Sequence, residues 1–278
     1  MDYKKATRNI RQELKNYIVE NNLKSLVMGI SGGIDSALCA ALAKPICDEL
    51  NIPLIGRSLP TRTNAGDENS RAQEIGKSFC TDFEETNIQD GFTAMYNLAI
   101  QNFSRSGDDG STKNNILKGN IKARIRMILL YDVAGASNGM VLSTDNYTEY
   151  LLGFSTIMGD WGDFGMIQYL WKTEVYNMSQ WLCDNELNGD NMKSLYNCIN
   201  CQATDGLGIS SSDLEQILPE WVGTSIDGYK KVDDILLDYI NNEIGDNSNP
   251  VIKRHNNTHF KRNWPITIKR NDILVSGQ

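Results

Sequence analysis

Apolar residues near the N-terminus follow two successive patterns. At helical spacing they recur at Ile10, Leu14, Tyr17 and Ile18. This spacing predicts an amphipathic helix over residues 3–21. A short apolar run at residues 25–30 is followed by the string SGGIDS at residues 31–36 and then by an alanine-rich apolar segment. Together these patterns predict a strand, a glycine loop and a helix.

The same alternation continues through most of the chain. Short apolar runs predict further strands over residues 52–60, 81–86 and 139–145. Helical patterns lie between or after them, over residues 65–79, 116–137 and 172–182. Strands that alternate with helices are typical of a parallel sheet covered on both faces. We therefore expect a single α/β domain over residues 1–278, with a doubly wound parallel sheet and flanking helices.

Three stretches lack such a pattern. Residues 104–115 are rich in glycine and poor in apolar residues, which predicts a surface loop. Residues 153–165 carry four glycines among aromatic and acidic residues, so we expect a mobile loop near residues 155–165 that orders over a ligand. The end of the chain is polar and then basic, and we expect a substrate-binding tail near residues 245–278.

Charge and hydropathy exclude some classes of function. The formal net charge of -8 argues against a nucleic-acid groove, which needs clustered Lys and Arg to neutralise phosphates. No apolar run approaches the roughly 20 residues that span a bilayer. We therefore expect a soluble, cytoplasmic protein with neither nucleic acid nor membrane as a partner. A small polyanionic ligand needs only a locally basic pocket.

Six cysteines are present, and no secretion signal points to a disulfide framework. Cys198 and Cys201 form a C-x-x-C pair, which is half of a zinc site or a redox pair in other proteins. A structural zinc usually takes four ligands, and the chain has no second pair. Reduced thiols are therefore the preferred interpretation.

The string SGGIDS carries the clearest chemical signal. Glycines at this point allow a tight turn, and their N–H groups can approach an anion beside the positive N-terminus of the next helix. A Walker A loop would have lysine near position 35, where this chain has Asp35. A carboxylate beside phosphates suggests a Mg²⁺ ligand, with a helix N-cap as the alternative.

SGGIDS resembles the pyrophosphate loop of the N-type ATP pyrophosphatases. Further strings occur in the order seen in one family of that group, the NAD synthetases: GNIKARIRM, VLSTDNYTE, WKTEVY and FKRNWP. The resemblance spans nearly the whole chain. It implies the adenine-nucleotide α-hydrolase-like fold and a ligase that forms an amide bond at the expense of ATP.

The resemblance also implies a role for individual positions. The implied ATP contacts are Gly29, Ile30, Ser31, Gly32, Gly33, Ile34, Asp35, Ser36, Arg57, Thr144, Lys172 and Thr204. The implied Mg²⁺ ligands are Asp35 and Glu149, and the implied catalytic residues are Asp35, Lys172 and Asp163. The implied contacts to deamido-NAD are Arg124, Asp163, His259, Phe260 and Lys261. Arg126 is interpreted as a structural helix charge.

Three positions depart from the family pattern. Ile157 stands where the family usually has a substrate-binding lysine, and one residue before Asp163 is missing. Phe260 takes the place of the usual histidine, while His259 lies one residue earlier. Arg57 precedes the Leu-Pro pair by two residues instead of one.

If the resemblance holds, ATP adenylates the nicotinate carboxylate of deamido-NAD, and ammonia then displaces AMP to give NAD. The resemblance also implies a homodimer and ammonia as the direct nitrogen donor, since 278 residues leave no room for a glutaminase beside this fold. A separate glutaminase partner stays open. The alternatives are a GMP synthetase-like or tRNA-thiolating enzyme of the same superfamily and a non-catalytic nucleotide sensor.

Overall fold

The computed structural model of the chain describes residues 1–64, 66–103, 109–201, 212–242 and 247–270. Its centre is a five-stranded, fully parallel sheet in the order β3-β2-β1-β4-β5. The strands are β1 Ser25–Gly29, β2 Leu54–Ser58, β3 Asp82–Glu85, β4 Gly139–Ser143 and β5 Phe164–Gly165.

Helices precede, connect and follow the strands. They are α1 Tyr3–Glu20, α2 Ile34–Leu50, α3 Gly66–Phe79, α4 Gln89–Phe103, α5 Thr112–Ala136, α6 Tyr147–Leu152, α7 Lys172–Asn185, α8 Gly189–Ile199, α9 Asp213–Ile217, α10 Ser225–Asn242, α11 Pro250–Asn257 and α12 His259–Arg262. Within the described ranges, no helix is both long enough and apolar enough to cross a bilayer.

The side chains of the central strand β1 alternate between the two faces of the sheet, and both faces are buried. Leu26 and Met28 belong to a core cluster with the alanine-rich helix α2, while Val27 points to the opposite cluster beside α5. Helix α2 contributes Ala37, Ala40 and other small side chains that are at most 1% exposed. Small residues let α2 approach the sheet closely, so the loop that joins β1 to α2 is held on both sides by packed structure.

The strand order creates a crevice at one edge of the sheet. The chain runs outward from β1 to β2 and β3 on one side, and β4 and β5 pair on the other side. In open α/β sheets, ligands bind at such a switch point, outside the carboxyl ends of the strands. The SGGIDS loop follows β1 directly and therefore lies at this position.

The predicted fold class is confirmed, but several elements differ from the prediction. Helix α5 begins at Thr112, with Ser111 as its N-cap, so residues 112–115 are helical although a loop was expected there. No counterpart among the predicted elements exists for strand β5 and helices α4, α6, α8, α9 and α10. The C-terminal region contains α11 and α12 in spite of its weak periodicity, because Asn249 caps α11 and Pro250 occupies its first turn.

Candidate active site

A cavity of about 400 Å³ opens at the carboxyl ends of β1, β2 and β4. Its volume is within the range of small-molecule sites. The residues after β1, from Gly29 to Asp35, form one side, and residues from α3, α5 and the segment after α6 form the others. The cationic side chains in its wall are Arg57, Arg71, Arg126, Lys172, Arg254 and Lys261. The same wall carries carboxylates, so cations and acids meet in this cavity: Asp35, Glu68, Asp145, Glu149, Asp160 and Asp213.

The SGGIDS loop is tightened by its own hydroxyl groups. The Ser31 amide donates to the Ser36 hydroxyl at 3.3 Å, and the Gly33 amide donates to the Ser31 hydroxyl at 3.2 Å. Gly32 has a φ of +81° and lies against α3, where a Cβ would come within 2.3 Å of the Glu68 carbonyl oxygen. Only glycine adopts this conformation at low cost and also leaves that space free.

The Gly32 carbonyl is held by two donors outside the loop. Arg71 Nε donates to it at 3.1 Å, and the buried Cys198 thiol approaches it at 3.5 Å. Cys198 and Cys201 are both free thiols. Among the described residues there is no cluster of three or more His, Cys, Asp or Glu side chains suited to a metal.

Three charged side chains meet beside the loop. The Lys172 ammonium donates to Glu149 Oε1 at 2.8 Å and also to Asp35 Oδ2. The Lys172 side chain is 2% exposed, whereas those of Asp35 and Glu149 are 17% and 16% exposed. The ammonium is therefore behind the carboxylates, and the carboxylates face the cavity. A buried ammonium is costly unless it is paired, so this lysine is fixed by its two partners.

Asn146 contacts both carboxylates. Its side-chain amide donates to Asp35 Oδ1 at 2.8 Å, and its backbone amide donates to Glu149 Oε2 at 3.3 Å. Its side-chain oxygen also accepts from the Glu149 backbone amide at 3.0 Å as the N-cap of α6. Burial and the nearby Asp35 raise the pKa of Glu149 to about 7, although Lys172 acts in the opposite direction. Burial alone would lower the pKa of Lys172, but Asp35 and Glu149 outweigh it and raise that pKa well above its ordinary value.

The Asp35 and Glu149 pair has the chemistry of a Mg²⁺ site. Mg²⁺ is usually held in proteins by one or two carboxylates, with phosphate and water oxygens completing the shell. Both carboxylates contact the same lysine nitrogen, so they are close enough to share one cation. Burial is the main cause of the raised pKa of Glu149, and the charge of Asp35 adds to it. The donor set therefore fits the ion.

A second charged group lines the opposite part of the cavity. Asp160 accepts from the Thr156 amide, and its pKa is raised, chiefly by burial. Lys261 donates to the Gly153 carbonyl at 2.8 Å, and its pKa is lowered by burial and by Arg254. Asp145, behind them, has a pKa well above its ordinary value because of burial and Asp160. This wall therefore combines two acids whose pKa values are raised with the cation Lys261.

Most of the predicted ATP-binding positions line the cavity: Gly29, Ile30, Ser31, Gly32, Gly33, Ile34, Asp35, Arg57, Thr144 and Lys172. The predicted Mg²⁺ ligand Glu149 and the predicted substrate ligand Lys261 do so as well. Ser36 is buried behind the loop and shapes it through its hydroxyl. The Arg57 guanidinium is held by both oxygens of Asp82, at 3.1 and 3.0 Å. Thr204 lies outside the described residues.

Four predicted substrate ligands do not reach the cavity wall. They are Arg124, Asp163, His259 and Phe260, and all are exposed. The Asp163 carboxylate instead accepts from the Val141 amide at 2.9 Å and from the Tyr131 hydroxyl at 2.9 Å, which ties its loop to β4 and α5. The acid of this loop that lines the cavity is Asp160, three residues earlier. The substrate role of Asp163 stays a prediction.

Arg124 contacts Ile157, which stands where the family usually has a substrate-binding lysine. Its guanidinium donates to the Ile157 carbonyl through Nη2 at 3.2 Å and through Nε at 3.3 Å. A cation therefore lies next to the position where the family usually has lysine.

The cavity also contains residues without an assigned role from the sequence. Arg126, interpreted above as a helix charge, lines the cavity and donates to the Leu59 carbonyl at 3.1 Å. Asp145 directly follows Thr144 in the string VLSTDNYTE, and Asp160 is an acid in the predicted mobile loop. Both could therefore have been singled out from the sequence around them. Asp213 and Arg254 come from distant segments, and only the tertiary fold brings them to this cavity.

The sequence model of the NAD synthase family matches residues 6–265. The chain belongs to the NAD synthase family. Curated members that resemble it include the NH(3)-dependent NAD(+) synthetase of Vibrio vulnificus, 35% identical over 159 residues, with 53% of this chain and 56% of that protein covered. The protein of the same name from Finegoldia magna is 33% identical over 181 residues, with 65% and 69% covered.

The matched stretch covers only part of some family members. A glutamine-dependent NAD(+) synthetase from Xanthomonas campestris is 31% identical over 177 residues, which are 63% of this chain and 31% of that protein. The chain therefore matches less than two thirds of the length of the Xanthomonas and Vibrio proteins.

Solved structures show the same fold over almost the whole chain. An NMN synthetase from Francisella tularensis has a TM-score of 0.76 and 23% identity, with 97% of this chain and 99% of that chain covered. An NH3-dependent NAD synthetase from Campylobacter jejuni has a TM-score of 0.66 and 24% identity, with 97% and 100% covered. At these identities the similarity concerns the fold alone.

Proposed function

We propose that the chain is an ammonia-dependent NAD synthetase, a ligase that forms a carbon–nitrogen bond. It activates the nicotinate carboxylate of deamido-NAD with ATP, which forms an acyl adenylate and expels pyrophosphate. Ammonia then attacks the acyl carbon and displaces AMP to give NAD. The observation that carries the proposal is the contact of Lys172 with both Asp35 and Glu149 beside the SGGIDS loop, in a chain of the NAD synthase family.

Activation of the carboxylate requires charge stabilisation at the ATP phosphates. The SGGIDS loop and the N-terminus of α2 line the part of the cavity where we place the leaving pyrophosphate. Lys172 keeps Asp35 and Glu149 oriented toward the same place. Mg²⁺, when held by Asp35, Glu149 and phosphate oxygens, supplies positive charge that offsets the charge on those oxygens. No side-chain nucleophile is needed.

The second half of the reaction requires neutral ammonia at the acyl carbon. An ammonium ion must lose a proton before its nitrogen can attack, and the attacking nitrogen must lose another during amide formation. Asp160 is the acid in the cavity wall that we assign to this role, because its raised pKa makes it a better proton acceptor than an ordinary carboxylate. Arg126 and Lys261 flank it and stabilise its charged form.

The other functions weighed from the sequence are less well supported. The family match favours NAD synthesis over a GMP synthetase-like or tRNA-thiolating enzyme. A non-catalytic sensor would have no need to keep Lys172 in contact with both Asp35 and Glu149. Ammonia as the direct nitrogen donor and a cytoplasmic location remain proposals.

A homodimer would explain why some predicted substrate ligands lie outside the cavity. Arg124, Ile128 and Tyr131 share one exposed face of α5, at helical spacing, and Ile128 is 63% exposed. Leu98 of the neighbouring helix α4 is 51% exposed. We propose that a second copy covers this apolar face and brings Arg124 to the dinucleotide. Sedimentation equilibrium of the wild type and of I128E tests it, because the charge should produce monomers.

A smaller substrate is the second candidate. Arg124, His259 and Phe260 lie outside the cavity of one chain. The described cavity wall therefore offers a dinucleotide few contacts beyond the nicotinate end that ATP activates. The deamido form of NMN carries the same carboxylate on a mononucleotide and would need fewer contacts. The ratio of kcat/KM for the two acids distinguishes the candidates.

The direct test is a product assay with the purified protein, Mg-ATP and ammonium chloride. Deamido-NAD and the deamido mononucleotide are supplied in separate reactions, and glutamine replaces ammonium in a parallel set. The proposal predicts NAD and AMP in equal amounts from deamido-NAD with ammonium. Amide formation from neither acid would contradict it. Hydrogen exchange of residues 155–165 and 247–270 with and without substrates tests whether this loop and tail become ordered on binding.

A further inference from the structure

Helix α7 begins at Lys172, and Glu174 in its first turn accepts from the Trp171 amide at 3.0 Å. Its N-cap is Trp171, which makes no side-chain cap hydrogen bond. An N-cap oxygen would normally accept from the second or third amide of the helix. That role is taken by Asp233 of α10, whose Oδ2 accepts from the Thr173 amide at 2.9 Å and from the Thr173 hydroxyl at 2.8 Å.

The other oxygen of Asp233 reaches α6. Asp233 Oδ1 accepts from the Thr148 hydroxyl, and the oxygen of that hydroxyl accepts from the Lys172 amide at 2.9 Å. Thr148 immediately precedes Glu149. One carboxylate therefore joins the starts of two helices, directly behind Lys172 and Glu149. Asp233 is 6% exposed and does not line the cavity, so it has no access to substrate.

Helix α10 holds Lys172 a second time. Tyr229 is one helical turn before Asp233, is fully buried, and places its ring centre 5.3 Å from Lys172 Nζ. The backbone of Lys172 is thus fixed through Asp233, and its ammonium lies against Tyr229. Residues four apart share a helix face, so a single face of α10 supports both ends of this side chain.

We propose that Asp233 is a positioning residue for the reaction: it aligns Lys172 and Glu149 by holding α7 and α6 in register. The inference rests on the proposed function, because it concerns the same group of charged residues. A carboxylate suits this place because three donors converge on it, from Thr148 and Thr173, at the positive end of α7. Asparagine would fit the same space with one acceptor oxygen fewer.

Two pairs of variants test the proposal. D233N removes one acceptor, and its control is D234N, because Asp234 is the exposed neighbour on the same helix. T148V removes the hydroxyl at constant shape, and T148S retains it. Each variant is assayed for kcat and for the KM of ATP, and its folding is checked by circular dichroism and thermal unfolding.

We expect D233N and T148V to lower kcat by about 100-fold, because misplacement of a catalytic group by ~1 Å has an effect of that size. The KM of ATP should change by less than about threefold, since the cavity wall itself is unaltered. T148S should recover most of the activity that T148V loses, and D234N should behave like the wild type. If D233N does not fold, the comparison of T148V with T148S tests the positioning role instead.

The proposal is overturned if folded D233N or T148V keeps kcat within about twofold of the wild type while its melting temperature falls, because Asp233 then has a structural role only. Loss of activity in T148S equal to that in T148V also overturns it. A wild type that forms no amide from either acid contradicts the proposed function instead, so the two failures are distinguishable.

Discussion

The Lys172 ammonium lies 2.8 Å from the Glu149 carboxylate, and the same nitrogen donates to Asp35. These residues come from three separate segments, after β1, in α6 and at the start of α7. The lysine is almost fully buried, and the two carboxylates face the cavity. The arrangement presents two carboxylates to the cavity while a fixed cation limits their repulsion.

Replacement of Lys172 by methionine should affect both folding and turnover. Removal of one partner from a buried ion pair typically destabilises a protein by about 3–5 kcal/mol, because the remaining charges are left unpaired. Turnover should fall by about 10²–10³-fold, the usual effect of losing one electrostatic contact in an active site. Urea unfolding and steady-state kinetics measure the two effects. The control is K193M, at an exposed position on α8, which should match the wild type.

The pKa of Glu149 predicts how stability depends on pH in the absence of Mg²⁺ and nucleotide. The folded chain binds a proton at Glu149 up to about pH 7, whereas an unfolded chain releases it near the ordinary value of 4.5. Folding therefore takes up a proton between these values, and stability should fall as pH rises from 4.5 to 7. E149Q lacks this group and should lose less stability over the same interval.

The comparison is made by urea unfolding of wild type and E149Q at several pH values. As pH rises, the free energy of unfolding of the wild type should fall relative to that of E149Q, by a few kcal/mol at most. Parallel pH profiles would contradict the assignment. Mg²⁺ should also raise the melting temperature of the wild type more at pH 8 than at pH 6, because it binds the ionised carboxylate.

Gly32 should not tolerate a side chain. An alanine Cβ would come within 2.3 Å of the Glu68 carbonyl oxygen, on a backbone with φ of +81°. The loop would have to change shape, at a cost of about 1–3 kcal/mol. ATP binding, followed by calorimetry, should weaken by about tenfold or more. G66A is the control, since nothing lies within 4 Å of its added Cβ; equal ATP affinities of G32A and G66A would be inconsistent with this account.

Asp160 and Asp163 should respond differently to loss of charge. D160N removes the acid in the cavity wall, and kcat should fall by about 10²–10⁴-fold, as is typical for loss of a proton acceptor. D163N weakens the contacts of Asp163 with the Val141 amide and the Tyr131 hydroxyl. It should therefore lower the melting temperature and leave kcat less affected than D160N does. The kcat ratio of the two folded variants measures this. A greater loss of kcat in D163N would support the register predicted from the sequence.

The sequence was sufficient for strands β1 to β4 and for the SGGIDS loop, because each is encoded locally, whereas β5 lies where a loop was expected. Three local patterns predict a strand, a loop and a buried helix here: the apolar run before Ser31, the glycines after it and the alanines of α2. None of these predictions needs information from the rest of the chain. Asp35, Glu149 and Lys172 each stand in a recognisable motif. Their mutual contact follows from the parallel order of the strands.

Other positions depend on geometry that local patterns do not contain. Arg124 and Arg126 are two residues apart on α5, so they point to nearly opposite sides of the helix, and only packing determines which one lines the cavity. Asp160 and Asp163 have similar neighbours, and the choice between them depends on how the loop pairs with β4. Asp233 is remote in sequence from Thr148 and Lys172, and no motif signals its role.

Transfer of oxygen from the substrate to AMP tests the central claim most directly. Deamido-NAD labelled with ¹⁸O in its nicotinate carboxylate is incubated with the protein, Mg-ATP and ammonium, and the nucleotide products are analysed by mass spectrometry. Adenylation of the carboxylate predicts that each AMP carries one ¹⁸O and that pyrophosphate is unlabelled. Formation of ADP and labelled phosphate, or of AMP without ¹⁸O, would contradict the account.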